Sequence, residues 1–368
     1  MIIRIFHEYG APRHFLPLFY MHSKMPSYIH RIEQIVFDPL ALLWRSVRKL
    51  NARYLKKNIT SLREALLSVD EEMVNIVGMA PLHYFVLYFN KLVQKGACII
   101  YFTSWPYWDF NDKHNRWVHC YPIDLRYVWK NFLSSVSGIV CVNKLGCRFL
   151  QRYADKVFWI PHSVDTNIFK PSTNRRNKPY IVVLFVGRLV ESKGILELLE
   201  VIKRIKRDNI NNLVFWFVGD GPYRRIIKRY KRELPVKYLG YINNSNILAR
   251  IYANADILVL PSKHRRAWEE LFGIVLIEAM SAGLPVIASN HVGPRDIVND
   301  GYDGFLIKAE PLKERELFIN EMYDKIITLV ENEKLRIKMG ERGRKKAQQL
   351  YDVRVNMKKW VEVLRRLE

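Results

Sequence analysis

Two carboxylates flank a glycine turn in the segment Glu270–Glu278, whose sequence is ELFGIVLIE. We expect a helix to begin near Gly273, so that its first backbone N–H groups and its positive dipole end can hold a diphosphate. Glu270 would then lie beside the ligand, and Glu278 would accept hydrogen bonds from two ribose hydroxyls. The same spacing also fits a plainer interpretation, in which Glu270 is an acid at a helix start and Glu278 faces solvent.

A second chemical cluster, GRLVESKG, follows a continuous apolar run in the same half of the chain. Its Gly187 permits a tight backbone, and Arg188 and Lys193 place two cations in one loop. Such a pair suits a pyrophosphate whose negative charge grows as a glycosidic bond breaks, so that no metal ion is required. A GDGP turn that begins at Gly219 follows the next apolar run. Alternatively, both cations are simply solvated in a loop.

The elements that must position these residues alternate between strand and helix. Continuous apolar runs predict strands buried on both faces of a parallel sheet, at residues 180–187, 213–219, 236–240, 256–261, 285–289 and 304–307. Segments with apolar residues at helical spacing separate these runs. The first half is less regular, with strands predicted at 2–6, 73–77, 98–102 and 138–143. Repeated units of this kind predict an α/β protein with doubly wound parallel sheets.

The length of the chain and a polar stretch near its middle predict two domains. A chain of 368 residues is too long for one core to grow comfortably. Residues 164–178 are polar and suit a connection. We therefore predict domains at 1–170 and 171–350, followed by a C-terminal helix at 351–368 whose Trp360 needs a surface to cover.

Composition narrows the class of protein. The formal net charge of +23 predicts a surface that attracts polyanions, either nucleic acid, an anionic membrane or phosphorylated substrates. No apolar run reaches the ~18 residues that cross a bilayer, and the N-terminus resembles no secretory leader. The four cysteines lack zinc or disulfide spacing. We expect a cytoplasmic protein with reduced thiols and no metal site.

Between about Tyr180 and Ile307 the chain resembles the donor-binding domain of the retaining glycosyltransferase family 4, of GT-B fold. The motifs GRLVESKG, VGDGP and EELFGIVLIE occur in the family's order. The resemblance implies two facing Rossmann-like domains, an acceptor-binding one first and a nucleotide-sugar-binding one second, with the C-terminal helix packing back on the first. It also implies a metal-independent, retaining hexosyltransferase that uses a nucleotide diphosphate sugar as donor and needs no other cofactor.

The resemblance assigns roles to individual residues of the donor site. Arg188 and Lys193 would bind the diphosphate and stabilise the departing nucleotide, while Glu270 would contact hydroxyls of the transferred sugar. Glu278 would bind the ribose. The remaining predicted donor contacts are backbone groups, at Gly10, Gly187, Gly219, Phe272, Gly273, Ile274 and Val275.

The N-terminal half resembles the family more faintly. Gly10 sits where the family has a glycine-rich loop after the first strand. Where family members often carry a histidine near the reacting sugar, this chain has residues 103–105, Thr-Ser-Trp. His83, His119 or Asp109 could serve instead, although each could equally be an ordinary core or surface residue.

Two basic segments bear on the acceptor. Residues 39–63 contain no acidic residue and predict a basic amphipathic helix, which either docks on an anionic membrane or packs with a solvated basic face. Residues 263–266, Lys-His-Arg-Arg, either recognise an acidic sugar or phosphorylated acceptor or face solvent. These features favour a glycan or lipid-linked acceptor at the inner face of a membrane, with nucleic acid not expected. The alternative function is a polyanion- or membrane-binding protein that keeps the fold without catalysis.

Overall fold

The computed structural model describes residues 1–8, 12–36, 73–109, 124–172, 179–264 and 269–367. Contacts group the chain into two compact units, one formed by 1–162 with 356–368 and the other by 163–355. The boundaries predicted from the sequence are 170 and 350. The acceptor-binding and donor-binding roles of the two domains stay predictions.

The first unit is built on a parallel sheet of six strands in the order β2-β1-β3-β4-β5-β6. The strands are β1 Ile2–His7, β2 Arg31–Val36, β3 Met73–Gly78, β4 Ile99–Thr103, β5 Gly138–Cys141 and β6 Val157–Trp159. The helices are α1 Leu16–Lys24, α2 Val86–Gln94, α3 Arg126–Ser135 and α4 Lys144–Leu150, and a 3-10 turn at Pro12–Phe15 precedes α1. Every described strand pairing is parallel, which confirms the predicted α/β class.

The C-terminal helix, Val353–Arg365, contributes its residues from 356 onward to the first unit. Trp360 is 1% exposed and its ring stacks on that of Phe102, with centroids 6.4 Å apart. The Asn356 side-chain amide donates a hydrogen bond of 3.3 Å to the Pro161 carbonyl. The helix therefore packs back on the first unit, as predicted, and Trp360 finds the apolar cover it needs.

The second unit contains the other parallel six-stranded sheet, in the order β12-β11-β10-β7-β8-β9. Its strands are β7 Ile181–Val186, β8 Leu213–Val218, β9 Val236–Gly240, β10 Ile257–Leu260, β11 Val286–Ser289 and β12 Gly304–Ile307. Its helices are α5 Ile195–Arg207, α6 Arg224–Tyr230, α7 Ser245–Ala253, α8 Ile274–Ser281, α9 Val292–Ile297, α10 Arg315–Glu331 and α11 Glu333–Lys346, with a 3-10 turn at Glu191–Lys193 and a π-helical turn at Ala347–Tyr351. The C-terminal helix is α12.

The strand order of the second unit determines where a ligand can bind. The chain starts at β7 in the middle of the sheet, proceeds outward through β8 and β9, then returns to the other side of β7 at β10. Between β7 and β10 the direction of progression reverses, so the loops after these two strands leave in opposite directions. In doubly wound sheets this reversal opens a crevice at the carboxyl ends of the strands.

Several predictions fall outside the described residues, namely those on Gly10, His119, Arg265 and Arg266 and the basic helix within 39–63. Within the described ranges, no helix combines the length and the apolar character that crossing a membrane requires.

Candidate functional site

The predicted donor residues of the second unit lie in loops at one edge of its sheet. Arg188 and Lys193 follow β7, Gly219 follows β8, and Glu270 lies in the connection that follows β10. These three strands are neighbours, and β7 and β10 bound the reversal point. The parallel sheet therefore assembles residues that are up to 82 positions apart in the sequence, from 188 to 270.

Glycines allow these loops to touch through their backbones. Gly194 has a φ of +65°, and a Cβ placed there would lie 1.9 Å from the Pro261 carbonyl oxygen. Gly219 has a φ of +137°, and a Cβ there would lie 1.8 Å from the Gly187 carbonyl oxygen. Any side chain would separate the loop after β7 from those after β8 and β10, which explains why these positions are glycine.

Lys193 and Glu270 form an ion pair across the reversal point. The Lys193 ammonium donates to Glu270 Oε2, and Ser262 Oγ donates a 3.0 Å hydrogen bond to the same oxygen. The two charged side chains are 12% and 13% exposed. The pair is largely shielded from water, so a ligand that enters would meet a cation and a carboxylate in fixed positions.

The helix α8 begins as the sequence predicts. Gly273 precedes it in the left-handed region with a φ of +91°, and no described side chain caps the helix start. Its first N–H groups, at Ile274 and Val275, have no partner within the helix by geometry. Phe272 is 5% exposed and packs edge-on against Tyr351, with ring centroids 6.1 Å apart. This start presents backbone donors suited to an anion.

Glu278 is buried on α8, with 4% of its surface exposed. The Tyr252 hydroxyl donates a 2.9 Å hydrogen bond to Glu278 Oε2. The interpretation of Glu278 as a solvent-facing helix residue is therefore wrong. A carboxylate at this depth requires polar partners, and Tyr252 is one that sequence spacing did not reveal.

Arg188 differs from Lys193 in its surroundings. Its side chain is exposed, and no described residue forms an ion pair with it. The structure thus brings Lys193 against Glu270 but leaves Arg188 in solvent at the same edge.

Lys263 has a structural partner that sequence analysis missed. It is 7% exposed, and its ammonium lies 2.8 Å from an oxygen of Glu197, a residue of α5 that is itself 1% exposed. Its backbone N–H donates to the Ser192 carbonyl at 2.8 Å, which ties the turn that carries Lys193 to the end of β10. Lys263 is therefore neither a solvent-facing residue nor an open cation for an acidic acceptor. Predicting this pair from the sequence would have required knowing that α5 packs against this loop.

His291, which follows β11, is the other residue that sequence analysis missed. It is 6% exposed, and its Nδ1 accepts a 3.0 Å hydrogen bond from the Glu270 backbone N–H. Burial lowers the pKa of His291 to about 4, so the ring is neutral near pH 7. No motif pointed to this residue, because its partner lies 21 positions away.

The first unit has candidates of its own. His83 is 8% exposed and stacks on Tyr84 with ring centroids 4.7 Å apart, which is typical of a core histidine, whereas Asp109 is exposed. Thr103 accepts a 3.0 Å hydrogen bond from the Trp105 N–H. The structure adds His14, whose pKa burial lowers to about 4.

Across the described ranges, no group of three or more histidine, cysteine, aspartate or glutamate residues could hold a metal ion. The described cysteines, Cys98, Cys141 and Cys147, are free.

Comparison with known proteins shows what this chain is similar to. Residues 166–346 match the family "Glycosyl transferases group 1". The chain is 31% identical over 212 residues to the UDP-Gal:alpha-D-GlcNAc-diphosphoundecaprenol alpha-1,3-galactosyltransferase of Escherichia coli, a match that covers 52% of this chain and 50% of the relative. It is 30% identical over 186 residues to the sulfoquinovosyl transferase of Arabidopsis thaliana, which covers 50% of this chain and 32% of the relative. The chain therefore spans half the length of these relatives or less.

The fold also has solved counterparts. The structure of Anabaena HepE in complex with UDP matches with a TM-score of 0.72 at 17% identity, over 99% of this chain and 100% of that one. The two parallel sheets and this similarity show the predicted GT-B fold.

Proposed function

We propose that this chain, whose residues 166–346 match the family "Glycosyl transferases group 1", transfers a hexose from a nucleotide diphosphate sugar to an acceptor. We further place it in glycosyltransferase family 4, with retention of anomeric configuration. In this reaction the bond from the anomeric carbon to the phosphate oxygen breaks, and a bond to the acceptor oxygen forms. The acceptor's proton passes to the departing phosphate, so no dedicated base is required.

The observation that carries the proposal is the Lys193–Glu270 ion pair at the reversal point of the sheet. A nucleotide sugar has an anionic diphosphate and a polyhydroxylated sugar, which call for a cation and a hydrogen-bond acceptor side by side. Lys193 supplies the first and Glu270 the second. A pair that served only to stabilise the fold would not need to lie where doubly wound sheets bind ligands.

The other donor contacts follow from the same placement. The backbone N–H groups from Phe272 to Val275 would hold the phosphates at the start of α8. Glu278 would accept hydrogen bonds from the ribose, and exposed Arg188 would approach the diphosphate from solvent. We propose that these cations and dipoles stabilise the departing nucleotide without a metal ion, and that no cofactor besides the donor takes part.

Nucleotide binding tests this assignment. Nucleoside diphosphates with different bases should raise the unfolding temperature of the wild type, since a ligand at 100 times its Kd adds about 2.7 kcal/mol of stability. Glu278→Gln keeps an oxygen for the Tyr252 hydroxyl but loses the charge. It should weaken binding about 10- to 150-fold, the equivalent of ~1.5–3 kcal/mol for hydrogen bonds to a charged group. Thermal shift titrations give both values.

Glu341→Gln is the matched control, because Glu341 is an exposed acid of the same unit. It should bind nucleotides as the wild type does. If no nucleoside diphosphate shifts the unfolding temperature of the wild type, the transferase assignment fails, and the +23 net charge would favour a polyanion-binding protein.

We propose a lipid-linked acceptor at the cytoplasmic face of a membrane. Two observations support this choice, the net charge of +23 and the similarity to a relative whose acceptor is a diphosphoundecaprenol-linked sugar. With a radiolabelled donor and a bacterial lipid extract, label should move into the organic phase, and Lys193→Ala should leave it in the aqueous phase. Label transferred only to water-soluble glycans would contradict the lipid acceptor while leaving the transferase activity intact.

A further inference from the structure

Residues 291–293, which follow β11 and include the start of α9, bind the backbone of Glu270 through hydrogen bonds. His291 Nδ1 accepts a hydrogen bond from the Glu270 N–H at 3.0 Å, and the Gly293 N–H donates to the Glu270 carbonyl at 3.0 Å. Both backbone polar groups of Glu270 are thus satisfied by residues 291–293. The carboxylate of Glu269 also accepts from the Val292 N–H at 3.3 Å, which makes a third link between the same two segments.

Close approach of the two segments depends on Gly293. A Cβ at Gly293 would lie 2.3 Å from the Phe272 nitrogen, so only glycine lets the start of α9 lie against residues 270–272. The contact between the two segments is therefore made mainly by backbone groups, and His291 contributes the side-chain hydrogen bond to Glu270.

If His291 served only to fill space, a histidine would be less favourable there than an apolar side chain. Because Nδ1 accepts a hydrogen bond, the hydrogen of the neutral ring is on Nε2. That Nε2 is fully buried and has no hydrogen-bond partner in the described part of the chain. An apolar side chain would avoid this unpaired donor. An apolar side chain, however, could not accept the hydrogen bond from the Glu270 N–H, as His291 Nδ1 does.

The position of the Glu270 carboxylate in the site depends on the position of the Glu270 backbone. Its Oε2 accepts from both Lys193 and Ser262, and these donors lie on the loops after β7 and β10. A displacement of the Glu270 backbone would therefore change the position of the carboxylate relative to the lysine and to any bound sugar.

We propose that His291 is a positioning residue that acts through Glu270, an inference that rests on the proposed function. The imidazole fixes the Glu270 backbone so that the carboxylate meets hydroxyls of the transferred sugar beside Lys193. Its contribution is to the productive placement of the donor, and it need not touch the substrate.

The test compares His291→Asn and His291→Leu, each alone and combined with Glu270→Ala. Asparagine offers an oxygen close to the place of Nδ1, whereas leucine fills the volume without an acceptor. For donor hydrolysis or transfer, His291→Leu should lower kcat/KM about tenfold, and His291→Asn should stay within about threefold of the wild type. In the Glu270→Ala background the leucine substitution should have no further effect.

A second readout needs no substrate. The Glu270 amide should exchange its hydrogen slowly in the wild type and His291→Asn, and faster in His291→Leu. Asn290→Ala, at an exposed neighbouring position, should change neither exchange nor kinetics. Unfolding temperatures establish that each variant is folded.

Three outcomes would overturn the inference. They are equal Glu270 exchange in all variants, a leucine effect that persists in the Glu270→Ala background, and an asparagine variant as impaired as the leucine one. Failure of the proposed function is distinguishable, because it would appear as a wild type that neither binds nor cleaves any nucleotide sugar, whatever the exchange result.

Discussion

Replacing Lys193 by alanine is expected to lower kcat for sugar transfer by about 10²- to 10³-fold, the range observed when one preorganised donor to a developing anion is removed. The ammonium lies at the reversal point of the sheet and is held by Glu270 with 12% of its side chain exposed. In such a shielded site a fixed positive charge stabilises the departing diphosphate far more than water does. Initial rates at saturating donor and acceptor measure the effect.

Lys206→Ala is the control for this substitution. Lys206 is an exposed lysine of α5 in the same unit, and its removal should change kcat by less than about twofold, because surface charges contribute little. A Lys193→Ala enzyme with wild-type kcat would refute the assigned role of the lysine.

The same assays with and without EDTA test the proposal that the transfer needs no metal ion. Loss of wild-type activity in EDTA would refute metal independence.

The strands and helices around the donor site could be predicted because burial leaves a strong trace in the sequence. Residues 181–186 are IVVLFV and lie inside a parallel sheet, where both faces of a strand are covered and no polar alternation is needed. The helix α5 repeats apolar residues at helical spacing, and Ile195, Leu198 and Ile202 are 0–1% exposed. Each of these patterns lies within a short stretch of the chain, so the sequence alone is enough to predict these strands and helices.

The helices α10 and α11 were not predicted, although the same reasoning would have found the first. Phe318, Met322, Ile326 and Leu329 recur at helical spacing on α10 and are fully buried. No described side chain caps its start, so the helix lacks the polar N-cap contact that often marks where a helix begins.

The surroundings of the site residues were beyond sequence reasoning for a physical reason. Lys263 lies among basic neighbours in the sequence, but its ammonium pairs with Glu197, 66 positions away. Glu278 likewise depends on Tyr252, and Glu270 on His291. Such pairs arise only when a particular helix or loop packs on a particular strand end, so residue spacing cannot reveal them.

Replacing Glu197 by leucine is expected to lower the free energy of unfolding by about 3–5 kcal/mol, because it removes the carboxylate nearest to the buried Lys263 ammonium and leaves it only the more distant Glu191, at 3.9 Å. Glu197 is 1% exposed and Lys263 7%, their charged atoms are 2.8 Å apart, and Arg315 approaches the same Glu197 oxygen at 3.4 Å. Chemical denaturation measures the loss. Glu200→Leu, on the same helix with its carboxylate 42% exposed and paired with Lys203, should cost at most about 1 kcal/mol.

The double substitution Glu197→Leu with Lys263→Met separates the charge from the packing. With both ions replaced by apolar side chains of similar size, stability should return to within about 1 kcal/mol of the wild type or exceed it, since burying the ion pair itself requires desolvation. A double variant as unstable as Glu197→Leu would mean that the cost lies in packing and not in an unpaired charge. The hydrogen bond from the Lys263 backbone N–H to the Ser192 carbonyl does not depend on the Lys263 side chain. A stable double variant should therefore keep the turn that carries Lys193 in place and retain nucleotide binding.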